Sequence, residues 1–519
     1  MSAKRYQQLL PEKDIFLERA RKASELTLPL VIRKEGHHSS TTYKTPYQSV
    51  GSRGVTNLAS NLMLSLFPAS QPFFRLLVSD SDFEQFGDQA SLVKEEVNES
   101  LSQMEKAVLE EIESKNLRPV LFEVFKNLLI AGNSLVYVEP EGSIRNYTLE
   151  DYVVHRDISG TITDIIIREF VHPSSAQGLD LEVPLPSDSY KKDQEIELHT
   201  CVKLKEDGKY EVYQEIKGER VKNTYQEFDA DKLPWLPLRL SKITGESYGR
   251  GYVEGVIGDL QSLEALSQAV VEAAAMSAKT VFMVNPGSTT RPRDLVRANN
   301  GDVISGAASD VTTLQVAKGG DLSIALQTAN KIETRLSYSF NLLEATLPTS
   351  GQTTATEINA IINSLEKVLA GVFSMLASEF MQPLVKLIIH NLGKEEIIPT
   401  LPEQVKLVIS TGISGLGRTS DIERIAQFTS LASQVAPESY MALTDFESVL
   451  RQLESAVGVD VLKSKETLMQ EQQAAQQQAM MQQQAQMQAQ MMQQGSQATQ
   501  EMSPEEMAMI EAAMTQAQG

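Results

Sequence analysis

The most specific chemical pattern in the chain is five residues long. Gly245-Glu246-Ser247-Tyr248-Gly249 satisfies G-x-S-x-G, the turn that lifts a nucleophilic serine above a hydrolase sheet, and the apolar stretch PLRLSKI precedes it as a strand would. In that fold an acid and then a histidine follow the serine. The one histidine after Ser247 is His390, set within a long helical pattern instead of a loop. The expected alternation of strands and helices is also missing, so a glycine-rich turn before a long helix accounts for the same residues. A serine hydrolase using Ser247 stands only as an alternative. Neither a Walker A stretch nor an H-E-x-x-H pair occurs. The six histidines, His37, His38, His155, His172, His199 and His390, show no ligand spacing stronger than the adjacent pair, and the lone Cys201 excludes a disulfide framework or a cysteine-built zinc site. No catalytic residue, metal site or cofactor is expected.

The chain has 519 residues, 41% of them hydrophobic, enough to bury a large core and divide into several domains. Its formal charge of −21 argues against a broad basic surface that wraps nucleic acid, because phosphate neutralisation by Lys and Arg dominates such affinity. The charge is uneven. Residues 1–60 hold ten Lys/Arg against five Asp/Glu, while residues 80–115 hold eleven acids against three bases. The basic end suits either an acidic or DNA partner or a solvated helix face. The N-terminal residues are charged throughout, unlike a signal peptide, and Glu272, Lys279, Glu379 and Lys386 interrupt the most apolar runs, so no membrane span is expected.

Three helical runs dominate the middle of the chain. The first carries Val253, Val256, Ile257, Leu260, Leu263, Leu266, Val270 and Val271 at steps of three and four. The second, over 321–343, repeats the spacing through Leu326, Ile332, Leu336, Phe340 and Leu343; the third runs from Ile358 through Leu384 to Ile388, with kinks expected at Gly371 and Pro383. At about 1.5 Å per residue the first and third reach roughly 40 and 50 Å, lengths that suit an assembly better than a pocket. Upstream, helices are expected over 14–34, from a Thr45-Pro46-Gln48 capping box to Phe67, through Val93, Val97, Leu101, Met104, Val108 and Ile112, and over 119–131 before Gly132. Residues 134–242 read as strands divided by glycine turns, giving an α+β fold class. Short strands and turns link the first two long runs; a strand and loop follow the third, and then a helical run over 421–461. From Met469 to Gln500 the sequence is almost wholly Gln, Met and Ala, a low-complexity segment, and the tail is expected to be mobile or conditionally helical.

Several stretches, YKTPYQSVGSRGVTNLASNLMLSLFP, GESYGRGYVEGVIGDLQSLE, VNPG, TATEI and STGISGLGR, resemble, in this order, the portal or head-to-tail connector proteins of short-tailed bacteriophages. The resemblance implies a homo-oligomeric ring, typically of twelve subunits, at one capsid vertex, through which double-stranded DNA is packaged and ejected. It implies N-terminal helices and a wing over 1–250, stem helices over 251–279 and 321–343, and a clip over 280–320 between them. A tunnel loop over 344–356, a wing helix with its following strand over 357–420, a crown over 421–465 and the tail over 466–519 complete the division. The ring would nucleate head assembly and meet scaffolding and major capsid proteins, then a terminase, then a tail adaptor, with no chemistry of its own. In the clip, Arg291, Arg293 and Arg297 become the expected contacts to partners or DNA. In the tunnel loop, Thr346, Thr349, Ser350, Gln352 and Thr353 would touch DNA; that loop has no Lys or Arg, so it lets phosphates slide past. A non-portal virion adaptor or internal structural protein is the other alternative, one that need not form a closed ring.

Overall fold

The computed structural model describes residues 2–37, 40–68, 73–78, 90–173, 179–181, 195–277, 281–314, 319–342, 371–394 and 405–409, with a few single positions besides. The chain divides into Met1–Gly417 and Arg418–Gly519. The first unit holds every element described below. The tunnel loop over 344–356, the crown over 421–465 and the tail lie outside the described residues, apart from isolated positions.

Helix α1 spans Ser2–Glu25, starting twelve residues before the expected Asp14 and stopping well short of Lys34. Its end has a local cause: Thr27 Oγ1 donates to Ala23 O at 2.7 Å, and Pro29 disfavours helical geometry at Leu28. Its start has a distant one. The first turns dock on a sheet far along the chain, with Tyr6 and Leu9 buried beside Val153, Ile166, Cys201 and Tyr213. Three arginines of this end form ion pairs within the subunit, to Asp164 from Arg5 (2.8 Å), to Glu254 from Arg19 (3.5 Å), and to Glu150 and Asp151 from Arg33 (2.9 and 2.7 Å). These three side chains stay 40 to 44% exposed, so they are ion-paired within the subunit and also face solvent.

Helix α2, Val50–Leu66, buries Val50, Val55, Leu58, Leu62 and Leu66, the face its spacing predicts. It starts later than the Thr45-Pro46-Gln48 box implies. The carboxylate of Glu264 accepts from the amides of Tyr47 (2.9 Å) and Gln48 (3.2 Å), and Gln48 Oε1 accepts from Gly51 N at 2.8 Å. A tertiary carboxylate thus takes the place of the local cap. After β1 (Phe74–Val78), α3 (Ala90–Ser114) and α4 (Arg118–Ala131) follow, α4 ending at the left-handed Gly132 as expected.

Nine antiparallel strands fill the next hundred residues: β2 (Asn133–Val138), β3 (Ile144–Tyr147), β4 (Tyr152–Arg156), β5 (Ile162–Val171), β6 (Ile196–Leu204), β7 (Tyr210–Ile216), β8 (Glu219–Arg220), β9 (Gln226–Phe228) and β10 (Trp235–Arg239). They form a three-stranded sheet, β10-β2-β3, and a six-stranded one, β4-β5-β6-β7-β8 with β9 against β7. One core joins the smaller sheet to α2, α4 and the chain's later helices, with Phe67 contacting Phe73, Phe125 and Phe380 edge-on or tilted.

The first long run becomes helical later than expected, as a 3₁₀ turn at Val253–Val256 and then α5, Ile257–Ser277. A hairpin of β11 (Val281–Val284) and β12 (Val311–Leu314), enclosing the short α6 (Pro292–Arg297), leads to α7, Gly319–Ser339. The third run is described from Gly371, which breaks it: φ of +83° makes this residue the left-handed N-cap of α8 (Val372–Leu376). A π-turn at Ala377–Met381 then joins α8 to α9, Gln382–Lys394. Pro383 explains that turn, since it has no N–H to give Glu379 O and its ring crowds the preceding carbonyl. Val372–Lys394 is long and apolar enough by composition to cross a membrane, but Leu376, Phe380, Leu384 and Ile388 are buried in the core. Last, β13 (Val405–Ile409) pairs antiparallel with β1, from Phe74 with Ile409 to Val78 with Val405.

Candidate functional site

The glycines around Ser247 serve a backbone crossing. Where the chain leaves β10 for α5 it passes over the end of α4 so closely that a Cβ on Gly251 would lie 2.3 Å from Ile130 O, and one on Gly132 would lie 2.2 Å from the carbonyl carbon of Arg250. Asn133 fastens the crossing, donating to Ala131 O (2.9 Å) and Gly249 O (2.8 Å) and accepting from Gly249 N (2.7 Å). Ser247 itself is buried under α1, its amide donating to Glu12 Oε1 at 3.2 Å, while Tyr248 OH accepts from Val154 N at 2.9 Å. His390 stands elsewhere, on α9, beside a cleft of about 430 Å³ that the stacked rings of Tyr137 and Trp235 also line. Ser247 is therefore a packing residue of the crossing.

The other titratable groups singled out by type are structural in their surroundings. Cys201 is buried in β6 and burial pushes its thiol up to about 12, far from thiolate chemistry. His199 is buried edge-on against Tyr6, and burial lowers its pKa. Among the described residues no group of three or more His, Cys, Asp or Glu is placed to hold a metal ion.

The helix pair is different. Helices α5 and α7 pack along each other, with Leu260, Leu263, Ala329, Leu336 and Phe340 buried where they meet the lobe and Arg335 ion-paired to Asp259. Past Leu263 no described residue of α5 is buried, and the pair carries Val271, Met276, Ile324, Leu326 and Tyr338 on its surface. The hairpin beyond continues this pattern with Phe282 and Met283, each 54% exposed, and Val296, 85% exposed. Large apolar side chains clustered this way mark a surface that another molecule covers. Arg291, Arg293 and Arg297 lie together around α6, all exposed. Thr346, Thr349, Ser350, Gln352 and Thr353 lie outside the described residues.

One feature had no sequence signature. The end of α7 is closed by a Schellman pattern, with Asn341 left-handed (φ +56°), Asn341 N donating to Tyr338 O at 3.1 Å and Leu342 N to Ser337 O at 2.8 Å. The next carbonyls are met from outside the helix: Tyr252 OH donates to Ser339 O (2.6 Å), and Asn57 Nδ2 donates to Phe340 O (3.3 Å) and Asn341 O (3.2 Å). Phe340 is fully buried against Gly54, where a Cβ would lie 2.3 Å from its ring.

An α+β lobe bearing an apolar helix pair that is unfinished in the single subunit defines a structural assembly protein. A family profile described as bacteriophage head to tail connecting protein matches residues 2–464, and the chain belongs to that family. It is 36% identical to the portal protein of Enterobacteria phage T3, over 88% of this chain and 86% of that one. It is equally 36% identical to the portal protein of Escherichia phage T7, over 91% and 90%, and 28% identical to that of Enterobacteria phage SP6, over 92% of each. Among solved structures, a chain from the neck of an empty GTA particle aligns at 12% identity over 80% of this chain and 91% of that one, with a TM-score of 0.38.

Proposed function

We propose that the protein is the portal of a bacteriophage head, a closed ring at one capsid vertex through which double-stranded DNA enters and leaves. The observation that carries this, beside family membership, is the exposed apolar surface of α5 and α7, which a neighbouring copy would cover in a ring. On this reading residues 1–250 form the wing and its N-terminal helices, α5 and α7 the stem, and residues 280–320 the clip. Arg291, Arg293 and Arg297 then present a cationic, partly apolar face to a terminase during packaging and to a tail adaptor afterwards. The segment 344–356 lines the channel with Thr346, Thr349, Ser350, Gln352 and Thr353, hydroxyls and an amide that hydrogen-bond phosphates weakly and let them go. Residues 357–420 complete the wing and 421–465 the crown, and scaffolding and major capsid proteins surround the ring during head assembly. The role is that of a conduit, and no covalent step is assigned to it.

Negative-stain imaging with native mass measurement tests the proposal. A ring of about twelve chains with an open centre is the expected result. A monomer or dimer that persists across salt conditions and in the presence of scaffolding protein would sink it.

A further inference from the structure

The cap of α7 sits at the point where the chain departs towards the proposed channel segment, and its bonding is complete in an instructive way. Ser337 O and Tyr338 O are met inside the cap, but Ser339 O, Phe340 O and Asn341 O are met by side chains from two other elements. Asn57 comes from the middle of α2, whose apolar face is buried in the core. Tyr252 immediately precedes the 3₁₀ turn that opens the stem, and its ring also meets Phe340 edge-on at 6.0 Å. A helix end can satisfy its carbonyls with water. Here both protons of one amide and one phenol are spent on fixing the direction in which residue 342 leaves.

We propose that Asn57 and Tyr252 are positioning residues for the channel segment, holding its first anchor rigidly to the subunit core. The inference rests on the portal reading, in which the segment beginning at 344 lines the channel. Its first anchor is thus clamped by three hydrogen bonds and a buried ring. Force from DNA on the segment is delivered to the lobe through Leu342, and the clamp prevents α7 from fraying under it.

Phage carrying Asn57→Asp or Tyr252→Phe test this. The first substitution sets a carboxylate against two carbonyls; the second removes one hydroxyl and keeps the ring. Ring mass and head assembly are expected to match the parent, while the fraction of packaged DNA open to nuclease in filled heads rises several-fold. Retention at the parent's level with intact rings overturns the positioning role and leaves the portal reading standing. If Asn57→Asp yields no rings, Tyr252→Phe decides by the same readout. A parent chain that forms no ring, or deletion of 344–356 without effect on retention, strikes the portal reading itself.

Discussion

The lobe and the helix pair follow opposite rules. In the lobe, polar groups are paired across long stretches of sequence, backbones touch through glycine, and aromatic rings meet in one core. In the pair, α5 and α7 meet the lobe through a short buried seam and then carry Val271, Met276, Ile324 and Leu326 into solvent. A subunit folds on the first pattern and assembles on the second. The difference teaches where stability and association can be separated.

The largest effect is expected at the crossing. Gly251→Ala places a methyl group 2.3 Å from Ile130 O, where only backbone could yield, and should cost about 3 kcal/mol or more, read as a lower urea midpoint. Gly255→Ala, four residues on and in open space, should stay within about 0.5 kcal/mol of the parent; equal effects would break the contrast. In the pair, Val271→Ser with Ile324→Ser should leave subunit unfolding nearly unchanged and shift the mass distribution from rings to free subunits. Loss of subunit stability instead would mean that these side chains belong to the fold.

The smallest effect concerns a charge inside the lobe. Lys13, on the buried face of α1, has its Nζ near Tyr6 OH (3.3 Å) and Glu150 O (3.2 Å), and burial, aided by Arg168, lowers its pKa from 10.5 to about 8. Between pH 8 and 10.5 the unfolded chain holds a proton that the folded one has released, so this residue makes stability rise with pH over that window and leaves it lowered, by a constant amount, below pH 8. Lys13→Met should flatten the rise and add about 1–2 kcal/mol at pH 7, measured by denaturation at both ends of the window.

Local chemistry was legible wherever it was decisive. The apolar stripe of α2, the stop of α4 at Gly132 and the glycine-divided strands all follow from spacing and turn residues. The break at Gly371 and the π-turn before Pro383 were legible as disruptions but not in kind, because only packing selects a cap or a widened turn over a bend. The starts of α1 and α2 depart from expectation for one reason: their determinants, Asp164, Tyr213 and Glu264, lie 159 to 217 residues away. The same applies to Asn57, whose partners are 283 and 284 residues distant. By contrast, the arginines near α6 were visible as composition, and the structure adds only that they are exposed.

The ion pairs of α1 also order events in time. Its partners are spread from Glu150 through Asp164 and Glu215 to Ser247 and Glu254, so α1 cannot complete its contacts until Glu254 has been made. At roughly 5–20 residues per second it waits on the order of ten seconds to a minute for them. The apolar surface of α5 and α7 begins at residue 257, after every one of those partners has been made. Translation therefore delivers the apolar surface after the partners of α1 but before α8, α9 and β13, which complete the lobe's core and pair with β1, so the adhesive part of the subunit is made while the lobe still waits for its last elements.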